Sequence, residues 1–152
     1  DLSKMVARGR LMRVGHGVYR VSHVASTEFD QYHLALLWSG VEGAVLSHET
    51  ALQAWEISDI NPSRIHFTVP RSRRLRRTGG NGYVIHHADL MPQQVTWWQE
   101  MPITDVPTTI AQCIESGVPT YLLRQAIERA GRTGQLGAEG QAVLLRTLEQ
   151  RV

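Results

Sequence analysis

"RGRLMRVGHGVYRV", residues Arg8 to Val21, holds four arginines, a histidine and three glycines. Gly9 is a natural stop for whatever helix precedes it, because glycine enters the left-handed conformation that ends a helix at little cost. Upstream, residues 2–8 space Leu2, Met5 and Val6 along one helical face and turn Ser3, Lys4 and Arg8 away from it. Downstream, "RLMRV" (Arg10–Val14) and "GVYRV" (Gly17–Val21) read as two short strands around Gly15, His16 and Gly17. Those glycines supply the positive backbone angles of a tight hairpin turn.

A helix that runs into a basic, glycine-tipped hairpin has the order of the second half of a winged helix-turn-helix. In that arrangement the helix lies in the major groove and the hairpin wing reaches the adjacent backbone or minor groove. Ser3, Lys4 and Arg8 are then the groove candidates, and Arg10, Arg13, His16 and Arg20 belong to the wing. Such cations neutralise phosphates without choosing a sequence, and only the helix residues could read base edges.

The rest of the composition bounds this reading. With 152 residues the chain suits one domain with a core, or a core domain with a small appendage. A 42% apolar and 20% charged content is that of an ordinary globular protein, and no apolar run approaches the roughly 18 residues of a membrane span. Cys113 is the single cysteine and cannot form an internal disulfide, and no basic-then-apolar leader opens the chain. A reducing cytoplasm is the expected compartment. The opening residue, Asp1, suggests a segment cut from a longer protein.

Charge is segregated along the chain. Residues 1–24 carry Lys4, Arg8, Arg10, Arg13 and Arg20 against Asp1, and residues 64–77 carry six arginines and no acid, although the whole chain is only +2. The remainder is therefore acidic, and the two basic segments create local fields that attract phosphate backbones. Arg71, Arg73, Arg74, Arg76 and Arg77 in "VPRSRRLRRTGGNG" form a second DNA-backbone candidate; the alternative is a solvated, self-repelling loop. The "GGNG" run lacks the lysine and hydroxyl of a phosphate loop and reads as a turn.

Beyond residue 24 the pattern predicts an α+β core, a small sheet flanked by helices, with no regular βαβ rhythm. The expected domains are residues 1–23, the end of a winged helix-turn-helix, and 24–152, the core. A helix from Phe29 to Trp38 turns Tyr32 and Leu36, with Phe29 and Leu37, toward the core. A second follows Ser47 as its cap and buries Ala51, Leu52, Trp55 and Ile57. "RIHFTVP" alternates Ile65, Phe67 and Val69 against His66 and Thr68, the signature of a half-buried strand. "GYVIHH" is its expected partner, with the arginine-rich loop as the long tip of a hairpin or its equivalent. "MPITDV" predicts a further strand, and three helices follow: one through Cys113, one over "TYLLRQAIERAGRTG" and one over 139–151.

No constellation points to catalysis or a cofactor. The seven histidines do not make a metal site by spacing, since His86 and His87 alternate faces of a strand and Cys113 has no partner cysteine. His48, just inside a helix start, reads as a buried or capping histidine. Of Trp97 and Trp98, one is expected in the core and one outside. A metal nuclease needs an acid and an acid-x-Lys pair, but Lys4 is the only lysine. A nucleotidyltransferase needs Gly-Ser and Asp-x-Asp, and neither occurs.

The stretch "LSKMVARGRLMRVGHGVYRV" (Leu2–Val21) resembles the end of the winged-helix domain of AbiEi-like antitoxins, from bacterial type IV toxin-antitoxin and abortive-infection systems. "GAVLSHETALQAWEI" (Gly43–Ile57), "RIHFTVPRSRR" (Arg64–Arg74) and "ITDVPTTIAQCIESG" (Ile103–Gly117) resemble core segments of that family in the same order, so the likeness spans nearly the whole chain. It implies a repressor that binds double-stranded DNA at its own promoter and counters a nucleotidyltransferase-type toxin, with no enzymatic activity, metal, cofactor or membrane. Direct contact with the toxin and assembly into a homo-oligomer stay open. The family carries further helices ahead of the recognition helix, so upstream residues or another subunit would cover Leu2, Met5 and Val6. The competing readings are a protein- or RNA-interaction module and an inactive nuclease-like domain.

Overall fold

The structure, a computed structural model, describes residues 11–15, 18–21, 29–73, 75 and 80–151, and the first two of these segments as backbone only. Those first segments are β1 (Leu11–Gly15) and β2 (Val18–Val21), an antiparallel hairpin as the glycine spacing predicts. The predicted helix before Gly9 lies outside the described residues.

A five-stranded mixed sheet forms the centre of the remainder. Its strands are β3 (Val45–Leu46), β4 (Ile65–Val69), β5 (Tyr83–His87), β6 (Val95–Trp98) and β7 (Met101–Thr104), in the spatial order β5-β4-β3-β7-β6. With helices α1 (Asp30–Ser39), α2 (His48–Ala54), α3 (Val106–Ser116), α4 (Thr120–Arg132) and α5 (Ala138–Glu149), the fold is α+β.

Helix α1 covers one face of the sheet. Tyr32, Ala35 and Ser39 recur at helical spacing and are buried, with Ala35 in the cluster that holds Phe67 and Val69 of β4. Leu37 is 40% exposed, contrary to the expectation that it joins the core. It stands two residues from Ala35, about 200° around the helix, and so faces out. Gly40 ends α1 in the left-handed conformation.

Two readings of β4 are corrected. It is not half-buried: Phe67, Thr68 and Val69 are all buried, because β4 lies between β5 and β3 and its second face is also covered. Thr68 tolerates this because its hydroxyl meets Ser47 Oγ at 2.7 Å. Nor do β4 and β5 form a hairpin. They are parallel, Ile65 opposite Tyr83 through Val69 opposite His87, so the arginine-rich segment is a crossover connection and not a hairpin tip. Parallel neighbours require a connection of about a dozen residues or more, which is why this loop is long.

Helix α2 takes over where β3 stops. Ser47 N–H donates to the His66 carbonyl at 3.2 Å, and His66 N–H donates to Thr50 Oγ1 at 2.7 Å, so the first turn of α2 is bonded to β4 in place of a longer strand. Ser47 occupies the N-cap position without a side-chain cap bond, since its hydroxyl is engaged with Thr68 and His48. Helices α2 to α5 share a second core built on Leu52, Ile110, Leu123 and Ile127. On α4, Leu122, Leu123, Ala126, Ile127 and Ala130 make the apolar stripe.

Asp105, which the sequence reading passed over, caps α3 by accepting from the Thr108 N–H at 3.0 Å, with Pro107 in the first turn. Asp105→Ala is expected to cost about 1 kcal/mol, read as a lower urea midpoint at unchanged slope. An unaltered midpoint would show that another group satisfies that donor.

Candidate nucleic-acid interface and a histidine cluster

The residues expected to meet DNA are distributed over two places. Arg13 stands on β1 opposite Tyr19, and Arg20 stands on β2 opposite Met12, with an irregularity in the ladder between Arg13 and Gly15. Ser3, Lys4, Arg8, Arg10 and His16 lie outside the described residues. The second place is the end of the sheet where β4 and β5 both terminate. Arg71 and Arg73 are exposed there, and Arg71 N–H donates to Asp89 Oδ1 at 3.1 Å, anchoring the start of the crossover to the end of β5. His87 is exposed at the same end, opposite Val69. Arg74, Arg76 and Arg77 lie outside the described residues.

A cluster that sequence reasoning missed sits on the sheet face turned away from α1. His48 opens α2, His66 stands on β4 and His86 on β5. The parallel register puts Thr68 opposite His86 and His66 opposite Val84, so both strand histidines fall on one face. The His48 and His86 rings stack with centroids 3.5 Å apart and planes 7° apart. His66 Nδ1 lies 3.0 Å from His86 Nε2, and His66 Nε2 lies 3.4 Å from Glu49 Oε2. On the other side His48 Nδ1 meets Ser47 Oγ at 2.8 Å. His48 takes a left-handed φ of 54°, and its N–H donates to Gln112 Oε1 of α3 at 3.2 Å.

Burial, with the neighbouring imidazoles adding to it, lowers His48 from its ordinary 6.5 to about 3 and His86 to about 4. His66 is also lowered by burial, against the pull of the Glu49 carboxylate. All three are therefore neutral near pH 7, where neutral rings can stack without repulsion. Ser47 is fully buried, with its hydroxyl held between Thr68 Oγ1 and His48 Nδ1. Among the described residues no group of three or more His, Cys, Asp or Glu could hold a metal ion. The cluster ties α2 to the sheet through hydrogen bonds and ring contacts.

Of the two tryptophans, Trp97 is 70% exposed, as one was expected to be, while Trp98 is partly buried at the edge of the core, packed edge-on against Phe29 at 4.8 Å. Cys113 is a core residue whose thiol is pushed up to about 12 by burial, with Glu49 adding to the shift. Among the described residues no helix is long and apolar enough to cross a membrane. No protein-family model matches the chain, and no curated protein matches it.

Proposed function

We propose that this chain is a DNA-binding transcriptional autoregulator that acts in the cytoplasm as the antitoxin of a type IV toxin-antitoxin system. The helix-hairpin of residues 1–22 meets the operator, and a nucleotidyltransferase-type toxin is the functional partner. The observation that carries the reading is the glycine-tipped antiparallel hairpin of β1 and β2, whose register places Arg20 on one face, opposite Met12, and Arg13 on the other, opposite Tyr19. A wing of this kind lays cations along a phosphate backbone, and it follows directly on a basic segment whose sequence spacing predicts a helix, which is the order of a winged helix-turn-helix. Exposed Arg71 and Arg73 add a second cationic surface on the core. The resemblance to AbiEi-like antitoxins supplies the biological role.

Salt titration of binding to a duplex carrying the chain's own promoter tests this. The logarithm of affinity should fall linearly with the logarithm of salt concentration, with a slope of about −0.9 per phosphate neutralised. Arg13→Ala and Arg20→Ala should each weaken binding across all duplex sequences and flatten the slope by about one. A chain that prefers single-stranded RNA under the same conditions, or whose binding ignores both substitutions, is an interaction module of another kind.

A further inference from the structure

Two adjoining cavities of about 320 Å³ and 730 Å³ share Gln31, Tyr32, Gln53 and Pro62. Together they make one groove between α1, the end of α2, residues 56–64 and the turn joining β6 to β7. Both volumes lie in the range of small-molecule sites. We propose that this groove is a mononucleotide-binding site, with the phosphate at Arg64 in the narrower cavity and the base beside Trp98 in the wider one.

The assignment rests on which chemistry stands where. Arg64 is exposed, and among the described residues it makes no ion pair and is the only charged side chain lining the narrower cavity. Ser63 lies next to it, so the narrow end offers a cation and a hydroxyl to an anion. At the junction, Tyr32 OH donates to Gln53 Oε1 at 3.2 Å, which fixes that amide with its NH₂ as the end left to donate. In the wider cavity Asn61 and Gln99 supply further carboxamides, and Trp98 supplies a ring on an aromatic wall shared with Phe29 and Tyr32. Carboxamides match the donor and acceptor edges of bases, and aromatic rings stack on their faces.

Glu56 also lines the wide end, where a carboxylate accepts from ribose hydroxyls but repels phosphate, so the nucleotide is oriented. Asp59 is already paired with Arg129 at 2.9 Å and bonded by Gln125 at 2.9 Å, which holds that rim in place.

Calorimetric titration with the four ribonucleoside monophosphates, the matching nucleosides and a short single-stranded oligonucleotide tests the site. Saturable binding of at least one monophosphate is expected. It should weaken about tenfold or more in Arg64→Ala and in Gln53→Leu and stay unchanged in Arg146→Ala on the exposed face of α5. The nucleoside alone should bind more weakly and be indifferent to Arg64→Ala. Tighter binding of the oligonucleotide, with the same two variants defective, identifies the source as a strand and not a free nucleotide. No saturable binding at millimolar ligand, or equal binding in the Arg64 and Gln53 variants with circular dichroism unchanged, overturns the proposal. Arg13→Ala and Arg20→Ala should leave nucleotide binding intact, so failure here is separable from failure of promoter binding.

Discussion

Phe67→Ala is expected to remove about 3–5 kcal/mol of folding stability, enough to leave a domain of ordinary stability partly unfolded at moderate temperature. Phe67 is fully buried on β4 and lies in the cluster with Ala35, Val41, Ala44 and Val69, packed edge-on against Tyr83 with ring centroids 5.9 Å apart. Truncation removes the transfer free energy of the ring and leaves a cavity beneath α1. The sheet backbone cannot close that cavity, because β4 is bonded on both sides, to β3 and to β5. Phe67→Leu, which keeps most of the volume, should cost distinctly less, about 1–2 kcal/mol. Urea denaturation followed by far-ultraviolet circular dichroism measures both. A loss below about 1 kcal/mol for the alanine variant would mean that the α1-sheet contact is not a principal part of the core.

The second large effect is a loss of stability in mild acid. His48 and His86 titrate near 3 and 4 in the folded protein but near their ordinary 6.5 once unfolded. Between pH 6.5 and about 4 the unfolded chain therefore binds more protons than the folded one, and stability falls as pH is lowered through that window. Each such histidine contributes a slope of at most about 1.4 kcal/mol per pH unit. Both rings are partly exposed, and solvent screening reduces that figure. A combined loss of about 2 kcal/mol from pH 6.5 to pH 5 is the expected size after that discount. His66 shifts in the same direction and adds to the loss.

Asp59 behaves differently. The hydrogen bond from Arg129, with Gln125 helping, holds its carboxyl below the ordinary 3.8, so its contribution is lost only at still lower pH. Thermal melts at half-unit intervals separate the two windows. His86→Gln should flatten the dependence between pH 6.5 and 5, and a wild-type melting temperature that is level over that range would contradict the buried, neutral state of the cluster.

The helices and most strands were legible because their signals are local. Gly15 and Gly17 announced the β1-β2 turn, the i, i+3, i+4 recurrence of apolar residues announced α4, and the α+β class followed from the order of such elements. β6, "VTWW", was not foreseen as a strand, since no turn residue directly before Val95 marks where it starts. The cap on α3 was visible in principle, since Asp105 precedes Val106 and Pro107 directly.

The direction in which strands pair is not a local property. Ile65–Val69 and Tyr83–His87 have the same composition whether they run parallel or antiparallel, and the arginine-rich segment between them can serve either topology. Reading them as a hairpin removed any means of finding the histidine cluster, which exists only because the parallel register puts His66 and His86 on one face and α2 delivers His48 onto it. The groove was equally out of reach, since Gln31, Gln53, Arg64 and Trp98 belong to four separate stretches of the chain. The amino-acid sequence by itself determined the basic segments, the hairpin, helices α1 to α5 and the buried fate of Phe67 and Cys113, all of which depend on near neighbours and on periodicity. Only tertiary structure decided strand direction, the burial of Thr68 and the meeting of His48, His66 and His86, because these depend on which distant segments the closing of the sheet brings side by side.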